Sequence, residues 1–284
     1  MKRMKHIGWI TLAAIVAIGG CGSEADLELE SSLASSESIV NGNRAQVDKV
    51  RLQGTLWTRS GQDFRYSCGA TYLGAGTNNR HWALTAAHCV DSTVPSNLRL
   101  GFGRRNLTNY RDSDLAGVDR IVIHPGYNSE NFRNDIAVLR LTRRPPGATA
   151  VVLASNPAAP ALDAPVFITG FGYTKVTTPE CRATGQDCGA PINLKQALTT
   201  VVPASECERF SAGINGVRQI CTRDTIGKIQ GACFGDSGGP MFRQDNMRQV
   251  GLTSFGSITC DPSFPQIYTR VTYHRGWIQN QTGI

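Results

Sequence analysis

The chain has no basic run longer than two residues, no internal repeat, no CxxC pair and no cluster of cysteine with histidine. The first absence argues against a nucleic-acid tract despite a formal charge of +7. The last two leave little room for a zinc site. Its leading apolar run, Ile7 to Ile18, is too short for a mature membrane span, which needs roughly 20 residues. Helix-period patterning is scarce as well, and only the tail from Tyr273 to Asn280 reads as a helix.

The chain does contain 30 Gly and 13 Pro, with 40% hydrophobic and 18% charged residues. Short apolar or alternating stretches recur at Val50–Trp57, Tyr66–Leu73, Trp82–Thr85, Val118–Ile123, Ile136–Leu141, Val166–Thr169, Ala197–Val202, Gln249–Ser254 and Ile267–Val271. Turn residues separate them, the pattern of an antiparallel sandwich or barrel system. The Ala- and Pro-rich stretch from Thr142 to Pro165 reads as a connector that divides the sheet region.

The first 38 residues are addressing rather than fold. Lys2, Arg3 and Lys5 precede the apolar run, and Gly19, Gly20 and Cys21 follow it, the three-part pattern of an export signal over 1–21. Ile18-Gly19-Gly20-Cys21 resembles a bacterial lipobox, in which the cysteine is lipidated; the alternative is a plain signal with an incidental Cys21. Residues 22–38 hold six serines and the acidic Glu24, Asp26, Glu28, Glu30 and Glu37, a disordered spacer or pro-segment. Without 1–38 the remainder carries 26 basic and 17 acidic side chains, a net +9 that reads as a solvated surface.

Three blocks carry chemistry: Leu84-Thr85-Ala86-Ala87-His88-Cys89, Asn134-Asp135-Ile136-Ala137-Val138-Leu139-Arg140-Leu141, and Gly235-Asp236-Ser237-Gly238-Gly239-Pro240. A serine hydroxyl needs an adjacent base to become a nucleophile, an imidazole can supply it near neutral pH, and a buried carboxylate fixes the imidazole tautomer. In this order the blocks resemble the signatures of the chymotrypsin/trypsin-like serine peptidases, from Ile39 to about Gln281. A hydrolase of the α/β type would run Ser, Asp, His, and a binding module derived from such a peptidase would usually lack a member of the set.

The resemblance implies an all-β protein of two packed six-stranded antiparallel barrels, about 39–155 and 156–271, with a C-terminal helix at about 273–281 inside a peptidase domain of 39–284. It implies peptide-bond hydrolysis through an acyl-enzyme, with Ser237 as nucleophile, His88 as base and Asp135 orienting it, without metal or organic cofactor. Gly235 and Ser237 would give the oxyanion donors, and Ser254 would bond the aspartate. Segment 254–256 would pair with substrate as an added strand, with Phe255 where the family usually has Trp. The family's calcium loop would fall at Phe102–Tyr110, which has no acidic residue, so no calcium is expected there.

Ile39-Val40-Asn41-Gly42 resembles the family's mature N-terminus, whose freed ammonium pairs with the aspartate before the nucleophile, here Asp236. Glu37-Ser38 precedes it where many relatives have Lys or Arg, so the activating protease is unknown and unlike trypsin. With Cys21 set aside, eight cysteines remain, an even number in an exported chain. Family matching pairs Cys68 with Cys89, Cys207 with Cys221 and Cys233 with Cys260, leaving Cys181 with Cys188.

The residue six before the nucleophile, Gly231, would sit at the base of the specificity pocket, where trypsin-like enzymes have aspartate. Gly231-Ala232-Cys233-Phe234 resembles elastase-type enzymes of leukocytes. Gly256 would line one wall and Gln266 the opposite one, part-filling the pocket and favouring cleavage after small or medium uncharged residues. An outward Gln266 would instead leave a deep, chymotrypsin-like pocket. Partners are therefore protein or peptide substrates and an activator, with no nucleic acid, and a membrane only through lipid on Cys21.

Overall fold

The computed structural model describes residues 39–284, apart from 185, 187, 190, 191, 226, 228 and 229. The export signal, Cys21 and the acidic spacer lie outside the described residues. The described residues form thirteen strands: β1 (Asn43–Arg44), β2 (Gly54–Ser60), β3 (Asp63–Ala75), β4 (His81–Thr85), β5 (Leu98–Phe102), β6 (Ala116–Ile123), β7 (Ala137–Leu141), β8 (Pro165–Gly170), β9 (Lys195–Val202), β10 (Gln219–Arg223), β11 (Pro240–Arg243), β12 (Gln249–Phe255) and β13 (Gln266–Arg270). Among the described residues they are joined by three short α-helices: α1 (Pro179–Thr184), α2 (Ala204–Glu208) and α3 (Arg275–Thr282).

Strands β2-β3-β4-β7-β6-β5 close one antiparallel barrel, and β8 to β13 close a second through the β8–β9 pairing. The expected architecture of two six-stranded barrels is therefore present. Alternation builds the first barrel's interior: Leu56, Ala70, Tyr72, Ala83, Leu100, Val118 and Leu139 meet in one core. Each of the leucines and Val118 contributes about 1.5–3 kcal/mol by leaving water, and each alanine less.

Strands β4 and β7 are buried on both faces. Ala83, Ala137 and Leu139 point into the first barrel, while Trp82, Leu84, Ile136 and Val138 join Phe167, Phe242, Leu252, Val271 and Ile278 in a second cluster. That second cluster is the seam between the barrels and under α3. Residues just beyond the ends of β4 and β7 therefore emerge at the seam, and His88 and Asp135 occupy those positions.

Three expectations need correction. Residues from Ile39 to Arg44, expected with the first barrel, belong to the second: Asn43 and Arg44 pair with Gln196 and Lys195, and Ile39 is buried among Val166, Ile168, Val201 and Tyr268. Helices α1 and α2 stand beside the expected tail helix, each too short to show a helical period. The tail helix itself begins at Arg275, two residues late, and runs until Gly283 takes a left-handed φ of 79° and donates to the Gln279 carbonyl.

Candidate active site

His88 follows β4 in a single 3-10 turn, Ala87–Cys89, and the Cys68–Cys89 disulfide ties that turn to β3. The Asp135 carboxylate is fully buried and accepts from the His88 backbone N–H at 2.9 Å and the His88 ring at 2.8 Å. A carboxylate only accepts, so Nδ1 is the donor toward Asp135, which in the neutral ring leaves the lone pair on Nε2. Ser254 Oγ donates to the same Asp135 oxygen at 2.6 Å, and Thr269 Oγ1 donates to the Asp135 carbonyl at 2.8 Å. The β12–β13 register slips between Thr253 and Phe255, and this irregularity falls at Ser254.

Ser237 lies on the second barrel, between Asp236 and a glycine pair. Gly238 donates to Thr253 O at 2.8 Å and Gly239 to Asp236 O at 2.9 Å. The Ser237 carbonyl accepts from Gly69 N at 2.7 Å, and a Cβ on Gly69 would lie 2.6 Å from Gly239 Cα. Glycine at position 69 thus lets the barrels close beside the serine. His88 and Ser237 line one cavity of about 940 Å³, together with Gly235, Phe255, Gly256 and Gln266. Among the described residues, the N–H groups of Gly235 and Ser237 donate to no protein acceptor. Gly235 adopts a left-handed φ of 97°.

Asp236 is 1% exposed and accepts from Gly172 N at 2.7 Å and Cys233 N at 2.9 Å. Burial outweighs these two bonds and pushes its pKa up to about 7. Ile39 is completely buried, Val40 bridges Gly231, and Gln230 Nε2 donates to Asn41 O at 2.7 Å. The segment from Ile39 to Asn41 thus lies against the strip that ends in the nucleophile.

Gln266 turns inward. Its Oε1 accepts from Ala232 N and from Tyr268 OH, each at 2.8 Å, and its Nε2 donates to Ala232 O at 3.0 Å. Gly256 lies alongside, where a Cβ would sit 3.5 Å from Gln266 Cγ. All four expected disulfides are present: Cys68–Cys89, Cys181–Cys188, Cys207–Cys221 and Cys233–Cys260. Contrary to the expectation of no cysteine–histidine cluster, folding brings the donor atoms of Cys68, His88 and Cys89 within 4.8 Å of one another, but two of the three donors are bonded to each other in a disulfide.

Sequence reasoning missed Phe132. Its ring meets His88 edge-on at 5.5 Å and stacks on Phe255 at 5.1 Å. The signal was available, since Phe132 is the single apolar residue between Asn128 and Asn134. Tyr66 was missed as well; its hydroxyl donates to the Gly235 carbonyl at 2.5 Å.

Residues 39–278 match the family model described as Trypsin. The chain is 32% identical to the fibrinolytic enzyme, isozyme C, of Lumbricus rubellus over 84% of this chain and 98% of the relative. It is 32% identical to the chymotrypsin-like serine proteinase of Haliotis rufescens (87% and 92% covered) and 32% identical to the chymotrypsin-like elastase family member 1 of Felis catus (85% and 88%).

Proposed function

Because the chain belongs to the trypsin family and is a serine-type endopeptidase acting on proteins or peptides, we propose that its chemistry runs through Ser237, His88 and Asp135. One observation carries this reading: a buried Asp135 held by both His88 and Ser254, with the free ring nitrogen's residue and Ser237 on the same cavity. Ser237 Oγ attacks the scissile carbonyl and gives its proton to His88 Nε2. The imidazolium, steadied by Asp135, returns that proton to the leaving amine, and water repeats the cycle on the acyl-enzyme. The N–H groups of Gly235 and Ser237 receive the oxyanion, a donor pair worth about 3 kcal/mol per member in the barrier.

In this reading Phe255 and Gly256 pair with substrate backbone, and Gly231, Gly256 and Gln266 form an uncharged pocket that takes Ala, Val, Leu or Met before the cut. Cleavage before Ile39 frees an ammonium for Asp236 and so activates the enzyme, by a protease still to be found. The leader over 1–21 exports the chain, and lipid on Cys21 would hold it at the envelope until the spacer 22–38 is cut. Among the described residues no helix is long and apolar enough to cross a membrane.

A fluorophosphonate probe tests the core of this. The activated chain should be labelled at Ser237, and Ser237→Ala should lose both label and casein hydrolysis while keeping its melt. An unlabelled, inactive native chain would point instead to a binding module.

A further inference from the structure

Gly235 offers the first oxyanion donor, yet as a glycine it has little steric preference of its own to fix where its N–H points. Two contacts fix it from outside. On one side the Phe234 carbonyl accepts from Tyr173 N at 2.9 Å. A trans peptide is planar, so its C=O and N–H point in opposite directions, and the Gly235 N–H is aimed away from Tyr173. On the other side the Gly235 carbonyl accepts from Tyr66 OH at 2.5 Å, and Asp236 N donates to Cys233 O at 3.0 Å.

Of these contacts only the one from Tyr66 is made by a side chain. Its ring is wedged edge-on between Trp57 at 6.2 Å and Phe171 at 5.8 Å. A Cβ on Gly235 would lie 3.4 Å from Tyr66 Cε1, so the ring stands against the glycine itself. Burial, then the nearby Asp236 carboxylate, raise the phenol pKa well above its ordinary value, so the hydroxyl remains a donor across the working pH range.

We propose that Tyr66 is a positioning residue for the oxyanion site, its hydroxyl anchoring the Gly235 carbonyl so that the Gly235 N–H is presented before charge develops. This rests on the assignment of Ser237 as nucleophile and of Gly235 as an oxyanion donor. An oxyanion donor acts through preorganisation, so a donor free to swing loses transition-state stabilisation while substrate binding is spared.

The test uses Tyr66→Phe in the activated chain, with two ligands of the same peptide sequence. One is a trifluoromethyl ketone: Ser237 Oγ bonds to its carbonyl carbon, the C=O π pair becomes the oxyanion, and the serine proton moves to His88. The other is the corresponding alcohol, which cannot accept the serine. Tyr66→Phe should lower kcat about tenfold, with KM within about twofold, and weaken the ketone by a similar factor while leaving the alcohol unchanged. Unchanged kcat and ketone affinity would overturn the proposal, as would equal weakening of both ligands. Loss of the cooperative melt would overturn it too, because a positioning role leaves the fold standing. Ser237→Ala separates the two levels: if that variant still forms the ketone adduct, the nucleophile assignment itself fails, whatever Tyr66→Phe does.

Discussion

Gln266 occupies the space that Gly231 leaves: a Cβ on Gly231 would lie 2.3 Å from Gln266 Nε2. The amide is held by Ala232 and Tyr268, so it cannot turn out of the way without leaving buried polar groups unpaired. In the proposed reading, the specificity pocket is therefore shortened by a fixed neutral group. Gln266→Gly should deepen it and move preference from Ala, Val or Leu toward Phe or Tyr by about tenfold in kcat/KM, the scale of a few methylenes. Peptides differing only at the residue before the cut would measure this. A wild-type preference for Arg or Lys would defeat the pocket assignment.

Ser254 and His88 share one oxygen of Asp135, at 2.6 and 2.8 Å. A hydrogen bond to a buried charge contributes about 1.5–3 kcal/mol, so Ser254→Ala should lower kcat/KM roughly tenfold by loosening the carboxylate behind the imidazole. Asp135→Asn should cost about 10⁴ in kcat, since an amide facing Nδ1 selects the wrong tautomer. Steady-state kinetics on the two variants should preserve that order; a Ser254→Ala enzyme as fast as wild type would remove Ser254 from the site.

The Asp236 carboxyl at about 7 makes stability depend on pH in a specific direction. An unfolded aspartate titrates near 3.9, so between about pH 4 and 7 the folded uncut chain binds the extra proton. Its contribution is present below about pH 4 and is lost as pH rises through 7, by up to about 4 kcal/mol. Once the Ile39 ammonium is free to pair with it, the carboxyl should fall below its ordinary value, its contribution should be lost only below about pH 4, and the decline between pH 4.5 and 7.5 should disappear. Denaturant unfolding at pH 4.5 and 7.5, on a Ser237→Ala background with and without Asp236→Asn, would show it. Parallel pH trends in the uncut and cut chains would refute the pairing.

The strands that sequence reasoning found are those with uninterrupted apolar or alternating residues, such as β4 and β7. It passed over β5, β10 and β11, which are four or five residues long and each carry an arginine: Arg99, Arg223 and Arg243. Barrel closure makes them strands, since each is paired along both edges. In the candidate site, motif residues were legible because their chemistry demands particular residue types. Phe132 and Tyr66 were not, because an aromatic ring has no fixed role until folding sets it against His88 or Gly235. The inward turn of Gln266 was legible from alignment with the family, but two of its three hydrogen bonds are with the Ala232 backbone, 34 residues away, and the third is from the Tyr268 hydroxyl.

Ile39 holds a φ of 55°, a left-handed conformation that a β-branched residue adopts at a cost of about 1–3 kcal/mol. That torsion exists only while the Ser38 carbonyl precedes it. Cutting the Ser38–Ile39 bond removes that torsional restriction on Ile39 and frees an ammonium in the same step, so both changes should favour the inserted N-terminus. The cut would also detach the domain from anything held at Cys21, because no other cysteine precedes Ile39 and a lipidated thiol cannot form a disulfide. Fractionated cells should therefore yield a soluble, active form whose N-terminal sequence reads Ile-Val-Asn-Gly, while the uncut chain stays with the envelope if Cys21 is lipidated. A soluble active form beginning at Gly22 or Ser23 would contradict both the switch and the release.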